Sequence, residues 1–453
     1  MMRNLSRQSG RITLRFELKQ IIEDKIMKVL IVGSGGREHA LAWKMLQSPL
    51  VSQVFVAPGN AGTALEPNVI NVPIGVTAID TLAEFAISHN VDLTVVGPEV
   101  PLALGIVDTF KAANLKCLGP SLAASQLEAS KFFAKEFLQR YHIPTALYAS
   151  FTELAPALEY VRLVTTFPVV IKADGLAQGK GVIIARDLTA ADAAIRSMFL
   201  EQKFGAAGNR IVIEQFLHGE EVSFIALVDN TTVIPLASSQ DHKAVGDGDV
   251  GPNTGGMGAY SPAPVLTPAL HEKVMQKIIL PTVHGMAAEG NPYTGFLYAG
   301  LMISSDNIPR VLEFNCRLGD PETQVIILRL KSDLAALCLA AVDNKLDQVK
   351  VDWDTKMALG VVLTAGGYPG TYNTGDIITG LLQTLPSDNK IFHAGTAIRN
   401  EQIVTAGGRV LCVTALGATV AEAQARAYDI VKNIHWHKRY CRWDIGYKAI
   451  HRL

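Results

Sequence analysis

Val311–Glu322 reads VLEFNCRLGDPE, an apolar strand pattern that runs into a turn and the start of a helix. Side chains of a strand alternate between its two faces. Glu313, Asn315 and Arg317 therefore share one side, and Leu312, Phe314 and Cys316 the other. The second set predicts a core face. The first sets a carboxylate, an amide oxygen and a guanidinium next to one another. Two hard oxygen donors suit Mg²⁺ or Mn²⁺, and the adjacent cation suits a phosphate or carboxylate. Asp320 is expected as a helix N-cap, with Pro321 at the first helical position. Alternation alone equally allows a half-exposed strand whose charges are simply solvated, so the flanking chain has to decide.

Lys172 lies near the end of another buried strand pattern, Phe167–Ala173. A lysine there is costly unless it is paired. A glycine loop follows at once, Asp174–Gly181, and then Val182–Ala185 as a strand. This is no Walker loop. The gap from Gly175 to Gly179 is one residue short, Gly181 replaces the hydroxyl that would hold Mg²⁺, and a strand follows instead of a helix. The pattern predicts a flap closing over phosphates through backbone N–H groups and Lys180. A plain flexible hairpin is the alternative. Arg210–Leu217 and Val222–Val228 read as strands meeting at the acidic turn His218–Glu221. Such an edge can offer backbone groups to an adenine ring and a carboxylate to ribose hydroxyls, and an ordinary acidic hairpin has the same pattern. Ser239–Tyr260 is a polar, glycine-rich stretch carrying Asp241, His242, Lys243, Asp247 and Asp249. Structureless loops of that length are functional or disordered. It lacks EF-hand spacing, and His242 has no partner histidine at a metal spacing. Pro262–Glu289 is expected as helix, Thr294–Ser304 as a strand pairing with Ile308–Arg317, and Glu322–Asn344 as one long helix.

From Met27 the pattern is strand, glycine turn, helix, strand: KVLIVGSGG, then Arg37–Gln47, then Gln53–Ala57. Repetition through Val91–Val96 and Lys116–Leu118 predicts a parallel sheet covered on both faces. GSGGRE is only a partial dinucleotide fingerprint, because Glu38 stands where the third glycine belongs and no acid follows at ribose spacing. An amide-rich turn at a helix start can still take a simpler phosphate. Leu122–Tyr141 reads as one helix. Residues Met1–Ile26 carry four arginines before the first acid, Glu17. They read as an over-extended start before Met27, or as a targeting or basic arm. From Leu359 a third apolar pattern ends in the amphipathic helix Val420–Ile434. It shows no catalytic constellation and is expected to close over the rest. A chain of 453 residues supports about three domains. A net charge of −1 gives no field for generic nucleic-acid binding. The five scattered cysteines fit a reducing cytoplasm, and no apolar run is long enough to span a membrane.

Several stretches together resemble the glycinamide ribonucleotide synthetase (phosphoribosylamine–glycine ligase) family of ATP-grasp enzymes, from Met27 to the C-terminus. They include MKVLIVGSGGREHALAW, VAPGNAGTA, VGPE, IKADGLAQGKGV, IEQFLHGEEVSF, SQDHK, GPNTGGMGAYSP, GFLYAGLM and EFNCRLGDPETQ. The lysine and glycine-loop motifs give only the superfamily; GPNTGGMGAYSP with EFNCRLGDPE is specific to the family. The resemblance implies an ATP-grasp fold, α/β and α+β, with an N-terminal doubly wound parallel-sheet (Rossmann-like) domain and a small C-terminal domain. The expected divisions are 1–26, 27–127, 128–219, 220–352 and 353–453.

The implied reaction joins glycine to 5-phosphoribosylamine through glycyl phosphate, with ATP as substrate and Mg²⁺ or Mn²⁺. By motif position, Lys131 and Lys172 would contact ATP phosphates, and Gly179, Lys180 and Gly181 would form the flap. Glu214, Gln215 and Leu217 would line the adenine, and Glu221 would hold its ribose. Glu313 and Asn315 would bind the metal. Arg317 would stabilise glycyl phosphate, and Asp241 would hold an amine. Gly35 and Gly36 would sit near the sugar phosphate. The wider superfamily often adds a metal-binding acid on the preceding strand, but here FLYAGLMI has none. The alternatives are another ATP-grasp carboxylate–amine ligase or a non-catalytic nucleotide-binding module. The expected partners are small molecules, with no nucleic acid and no membrane, for a cytoplasmic monomer.

Overall fold

The computed structural model describes residues 26–164, 166–176, 181–201, 205–382 and 385–452. Met27–Gly33 is the centre of an all-parallel five-stranded sheet. Val51–Pro58 and then Val69–Asn71 lie on one side of it, Leu93–Val96 and then Cys117–Leu118 on the other. The winding reverses between Met27–Gly33 and Leu93–Val96, so a crevice opens beyond their C-terminal ends. Val32 pairs with Val96 there, and Gly33–Gly36 and Gly97–Glu99 form its lips. Continuous Val/Ile/Leu runs suit a sheet buried on both faces. Leu30 and Val32 belong to a core shared with Phe224 and Leu301. Ile31 and Val95 belong to a second core with Leu337 and Cys338.

Two antiparallel sheets follow. One has the order Tyr148–Phe151, Ile211–Gln215, Val169–Ala173, Val182–Ala185, with the helices Leu154–Val164 and Leu188–Phe199 packed on it. The other has the order Val233–Pro235, Glu220–Asp229, Thr294–Ile303, Pro309–Asn315. Residues of both sheets, among them Lys172, Glu214, Tyr298 and Glu313, line one cleft.

The C-terminal chain is joined to the rest as one sheet, not laid over it as a closing piece. Gln240–Asp241 and Gly258–Ser261 pair with one another, and Gly258–Ser261 continues into Met357–Thr364, Arg409–Gly417 and Asn389–His393. The expected structureless loop 239–260 is therefore largely ordered by strand pairing, with a second small ladder between Ala244–Gly246 and Val250–Asn253.

Two long helices expected from periodicity are each broken by a capping residue. Ser130 is extended (φ −131, ψ 114), and its hydroxyl accepts from the Phe133 N–H to start Lys131–Arg140. Asp333 accepts from the N–H groups of Ala335 and Ala336 and starts Leu334–Val342, separate from Glu322–Arg329. Such side chains compete with the helix interior and favour its first turn. Asp320 is not a cap: Pro321 holds that place. The Asp320 carboxylate instead accepts from Gln324 Nε2 at 2.8 Å and faces Arg409 Nη2 at 3.5 Å.

Candidate functional site

A cavity of about 510 Å³ lies where the parallel sheet, the cleft and the C-terminal sheet meet. Its floor is the strand Pro309–Asn315. Gly300 pairs with Glu313 but the next residue, Leu301, pairs with Val311, so Leu312 is an extra, bulged residue. A bulge resets which face a side chain takes. Phe314 and Cys316 are buried as expected, but Leu312 is half-buried and lines the cavity, and only its expected core placement is overturned. Its carbonyl accepts from Lys172 Nζ at 3.0 Å.

Glu313 and Asn315 line the cavity together. Burial pushes the Glu313 carboxyl up, but Lys243, Lys172 and Lys131 outweigh it and hold the pKa below the ordinary range. An ionised carboxylate and the Asn315 amide oxygen form a hard-oxygen pair of the kind that would suit Mg²⁺ or Mn²⁺. Among the described residues no group of three or more His, Cys, Asp or Glu is placed to hold a metal. Opposite Glu313 on the neighbouring strand stands Gly300, which offers no side-chain ligand.

Lys172 is paired as its burial demands. Its Nζ lies 2.8 Å from Glu214 Oε1, while Lys135 Nζ lies 2.9 Å from Glu214 Oε2. Burial pushes Lys135 down to about 8 despite Glu214. The Glu214 carboxylate is thus committed to two lysines and is not free for an adenine edge. The edge expected at Arg210–Leu217 is also not an edge. Ile211–Gln215 is an interior strand, and the Gln215 N–H donates to Leu147 O. Leu217 lies beyond the ladder in the connection to Glu220–Asp229, where backbone groups are not used by strand pairing.

Lys131 lines the cavity and donates to Gly175 O at 2.8 Å. Burial lowers its pKa, although Glu313 opposes this. Asp174 anchors the base of the flap by accepting from Ser130 Oγ at 3.0 Å and the Phe132 N–H at 3.1 Å. Gly181 lines the cavity. Gly179 and Lys180 lie outside the described residues.

Arg317 projects from the end of the floor strand. Its Nη2 donates to Asn315 Oδ1 at 2.8 Å and pairs with Glu128 at 2.9 Å; its Nε stands 3.5 Å from Glu99. Glu128 Oε2 also accepts the Cys316 N–H at 2.6 Å. Nε is buried and has only the longer ion pair with Glu99, so two carboxylates hold the guanidinium in the cavity wall. Asp241 and Lys243 enter from the ordered glycine-rich stretch. Burial, aided by Glu322 and Glu221 and opposed by Lys243, raises the Asp241 carboxyl to about 7. Lys243 Nζ donates to Glu221, so Glu221 supports the lysine from behind and is not itself on the cavity wall.

The Gly35 N–H is taken by the Glu38 carboxylate, and Glu38 also accepts from Arg37 Nε at 2.8 Å. A Cβ at Gly97 would lie 1.9 Å from Glu38 and one at Gly36 would lie 2.6 Å from Gln324. Gly35 and Gly36 are therefore packing positions, with the Gly35 amide already engaged. Arg37 is the residue of that turn that reaches the cavity. The Glu38 side chain is packed against Gly33, Gly35 and Gly97.

The sequence reading missed Arg37, Glu99, Glu128, Lys135, Lys243, Glu322 and Arg409 as wall or support. Arg37, Glu99, Lys243 and Glu322 stood in motifs already quoted, so membership of those motifs was an available signal. Arg409, from the C-terminal sheet, donates to Gly255 O at 2.6 Å and Asp320 O at 2.7 Å. Nothing in its local pattern marks it.

Three family models cover the chain in series. The phosphoribosylglycinamide synthetase N domain matches residues 27–128, its ATP-grasp (A) domain 129–323, and its C domain 358–448. The phosphoribosylamine–glycine ligase of Escherichia coli K12 is 63% identical over 94% of this chain and 99% of its own length. That of Allochromatium vinosum is 62% identical over the same shares. The crystal structure of the Thermotoga maritima phosphoribosylamine–glycine ligase superposes with a TM-score of 0.80 at 33% identity, covering 92% of this chain and all of that one. A Campylobacter jejuni biotin carboxylase shares the fold at a TM-score of 0.71 and 13% identity, over 91% and 92% of the two chains. With all three domains present in order and near-complete coverage on both sides, this chain belongs to the phosphoribosylglycinamide synthetase family.

Proposed function

We propose that this chain uses ATP to join glycine to 5-phosphoribosylamine, giving glycinamide ribonucleotide, ADP and phosphate. The glycine carboxylate oxygen attacks the γ-phosphorus of ATP, ADP leaves, and glycyl phosphate forms. The sugar amine then attacks the acyl carbon, phosphate leaves, and the amine gives up a proton. Neither step requires an enzyme nucleophile. Both depend on in-line placement and charge neutralisation.

The observation that carries this reading is one cavity lined by Lys131, Lys172, Glu313, Asn315, Arg317, Asp241 and Lys243. Lys131 and Lys172 neutralise the ATP phosphates, with Gly181 beside them on the cavity wall. Leu312 and the backbone of Phe216–His218, including Leu217, border the adenine. Glu313 and Asn315 would hold Mg²⁺ or Mn²⁺, which would supply Lewis-acid neutralisation of phosphate oxygens. Arg317 and Lys243 face the glycyl phosphate. Asp241, whose carboxyl is raised to about 7, accepts from an amine. Arg37 and Arg409 stand at the far end for the sugar phosphate.

We place the reaction in the cytoplasm, with small molecules as the chain's only partners and a monomer as the acting unit. Five free, buried cysteines fit a reducing compartment. No helix among the described residues is long and apolar enough to cross a membrane. The test is product identity by mass spectrometry, using ATP, glycine and phosphoribosylamine generated in place. Glycinamide ribonucleotide with stoichiometric ADP is expected. No amide from these substrates, with ADP release driven instead by bicarbonate or another amine, would overturn the reading.

A further inference from the structure

His242 lies between two cavity residues, Asp241 and Lys243, yet it is fully buried on the opposite side of the chain. Its Nε2 accepts the Gly446 N–H at 3.0 Å, which leaves the ring proton on Nδ1, 3.6 Å from Asp249. Its ring packs 5.6 Å from that of Tyr447. Arg442 is also fully buried. It grips Asp444 with both Nε and Nη2 at 2.7 Å, and its Nη1 reaches Asp249 at 2.7 Å and Ala244 O at 3.1 Å. Asp249 is held again by Tyr447 Oη at 2.9 Å and Lys448 Nζ at 2.6 Å. The contacts run both ways: the Gly248 N–H donates to Asp444 at 2.8 Å and the Trp443 N–H to Asp247 at 2.9 Å.

The charged residues of this stretch thus divide by face. Asp241 and Lys243 face the cavity, while His242, Asp247 and Asp249 face a segment some two hundred residues later in sequence. A buried guanidinium with one carboxylate removed is strongly unfavourable, so these contacts hold the stretch in one register. A one-residue slip in a strand would swap its faces, putting His242 into the cavity and Asp241 into the wall.

We propose that Arg442 and His242 are positioning residues that set where Asp241 and Lys243 meet substrate. The C-terminal segment thereby fixes the amine-binding part of the site without touching it. This rests on the reading of Asp241 and Lys243 as substrate-holding groups.

The test uses the full chain with Lys243→Met, Arg442→Met, His242→Gln and the milder Asp249→Asn. It measures KM for ATP, glycine and phosphoribosylamine, the thermal midpoint, and amide hydrogen exchange over residues 240–246. Lys243→Met should raise the KM of glycine or of phosphoribosylamine. Arg442→Met and His242→Gln should raise the same KM about tenfold, the size of one misplaced charge-assisted contact, with the KM for ATP unchanged within about twofold. Exchange over 240–246 should speed up. Asp249→Asn keeps the shape and should move the same KM in the same direction, which decides the matter if Arg442→Met does not fold. Unchanged kinetics in Lys243→Met overturns the substrate reading and the proposal with it. A response to Lys243→Met, combined with clamp variants that only lower the midpoint or raise all three KM values alike, overturns the proposal alone.

Discussion

At the scale of single residues, the site is organised by charge held away from water. Glu313 stays ionised because three lysines outweigh its burial. With Gly300 opposite, it is the one carboxylate the floor strand offers a metal. Glu313→Gln keeps the shape and removes that charge. The turnover of this variant should fall by at least roughly 10²–10³, the loss seen when one charge-stabilising group is removed, and further if the metal is lost with it. Steady-state rates beside an unshifted thermal midpoint check this, and near-normal turnover would refute the metal assignment. Asp241 behaves in the opposite way. Its carboxyl is raised to about 7 from 3.8, first by burial. The native state therefore holds a proton that the unfolded chain releases between those two values, and stability falls as pH rises through that window. Asp241→Asn has no such proton to lose. Its thermal midpoint should gain on the parent between pH 4 and 7 while ligase activity is lost. A midpoint difference that does not change with pH contradicts the assignment.

At the scale of elements, the interior strand Ile211–Gln215 brings Glu214 between Lys172 and Lys135, all three buried. Glu214→Gln would leave both lysines without the carboxylate that contacts them. Breaking a buried pair in this way costs about 3–5 kcal/mol, which a denaturant midpoint would show. Burial holds the Lys135 pKa at about 8 even with Glu214 beside it, and removing Glu214 lowers it further, so the Lys135 share of the deficit should shrink as pH rises towards 8. A deficit that is flat with pH would mean that packing, not charge, is lost. These elements also mark what could be read from sequence. Alternation found the face of Glu313 and Asn315, and the rule that a buried lysine needs a partner anticipated the pairing of Lys172. Alternation could not show that Leu312 is bulged, because a bulge depends on the register of Thr294–Ile303. Nor could composition show that Glu214 faces inward, since its own strand ends in exposed Gln215. The two over-long helices failed for a local reason that was legible in principle: Ser130 and Asp333 are both good caps in the middle of apolar periodicity.

At the scale of the whole molecule, the C-terminal chain could not be read as part of the site, because every contact that makes it so is long-range. Gly258–Ser261 pairs with Met357–Thr364, and Arg409 reaches the cavity from the next strand. A second join ties the same sheet to the first. His39 Nε2 lies 3.0 Å from Glu66, Lys390 also pairs with Glu66, and His39 Nδ1 accepts the His393 N–H at 2.8 Å. With a sheet and core residues shared, the C-terminal chain and the parallel-sheet part lack a separable boundary, so calorimetry should give one unfolding transition for the two. Two resolved transitions would show that the joins are weaker than the cores they link. The Glu66 join also fixes the acid side of that transition. Burial pushes the Glu66 carboxyl up, but His39 and Lys390 outweigh it and bring it from 4.5 to about 2. A carboxylate whose pKa is lowered on folding contributes stability that is complete above its unfolded value and is lost as pH falls through its folded one. Glu66→Gln should therefore lower the midpoint at pH 6 and converge on the parent between pH 4.5 and 2. A deficit that persists at pH 2 would place the contribution of Glu66 in packing between the sheets, and not in the charge that His39 and Lys390 share with it.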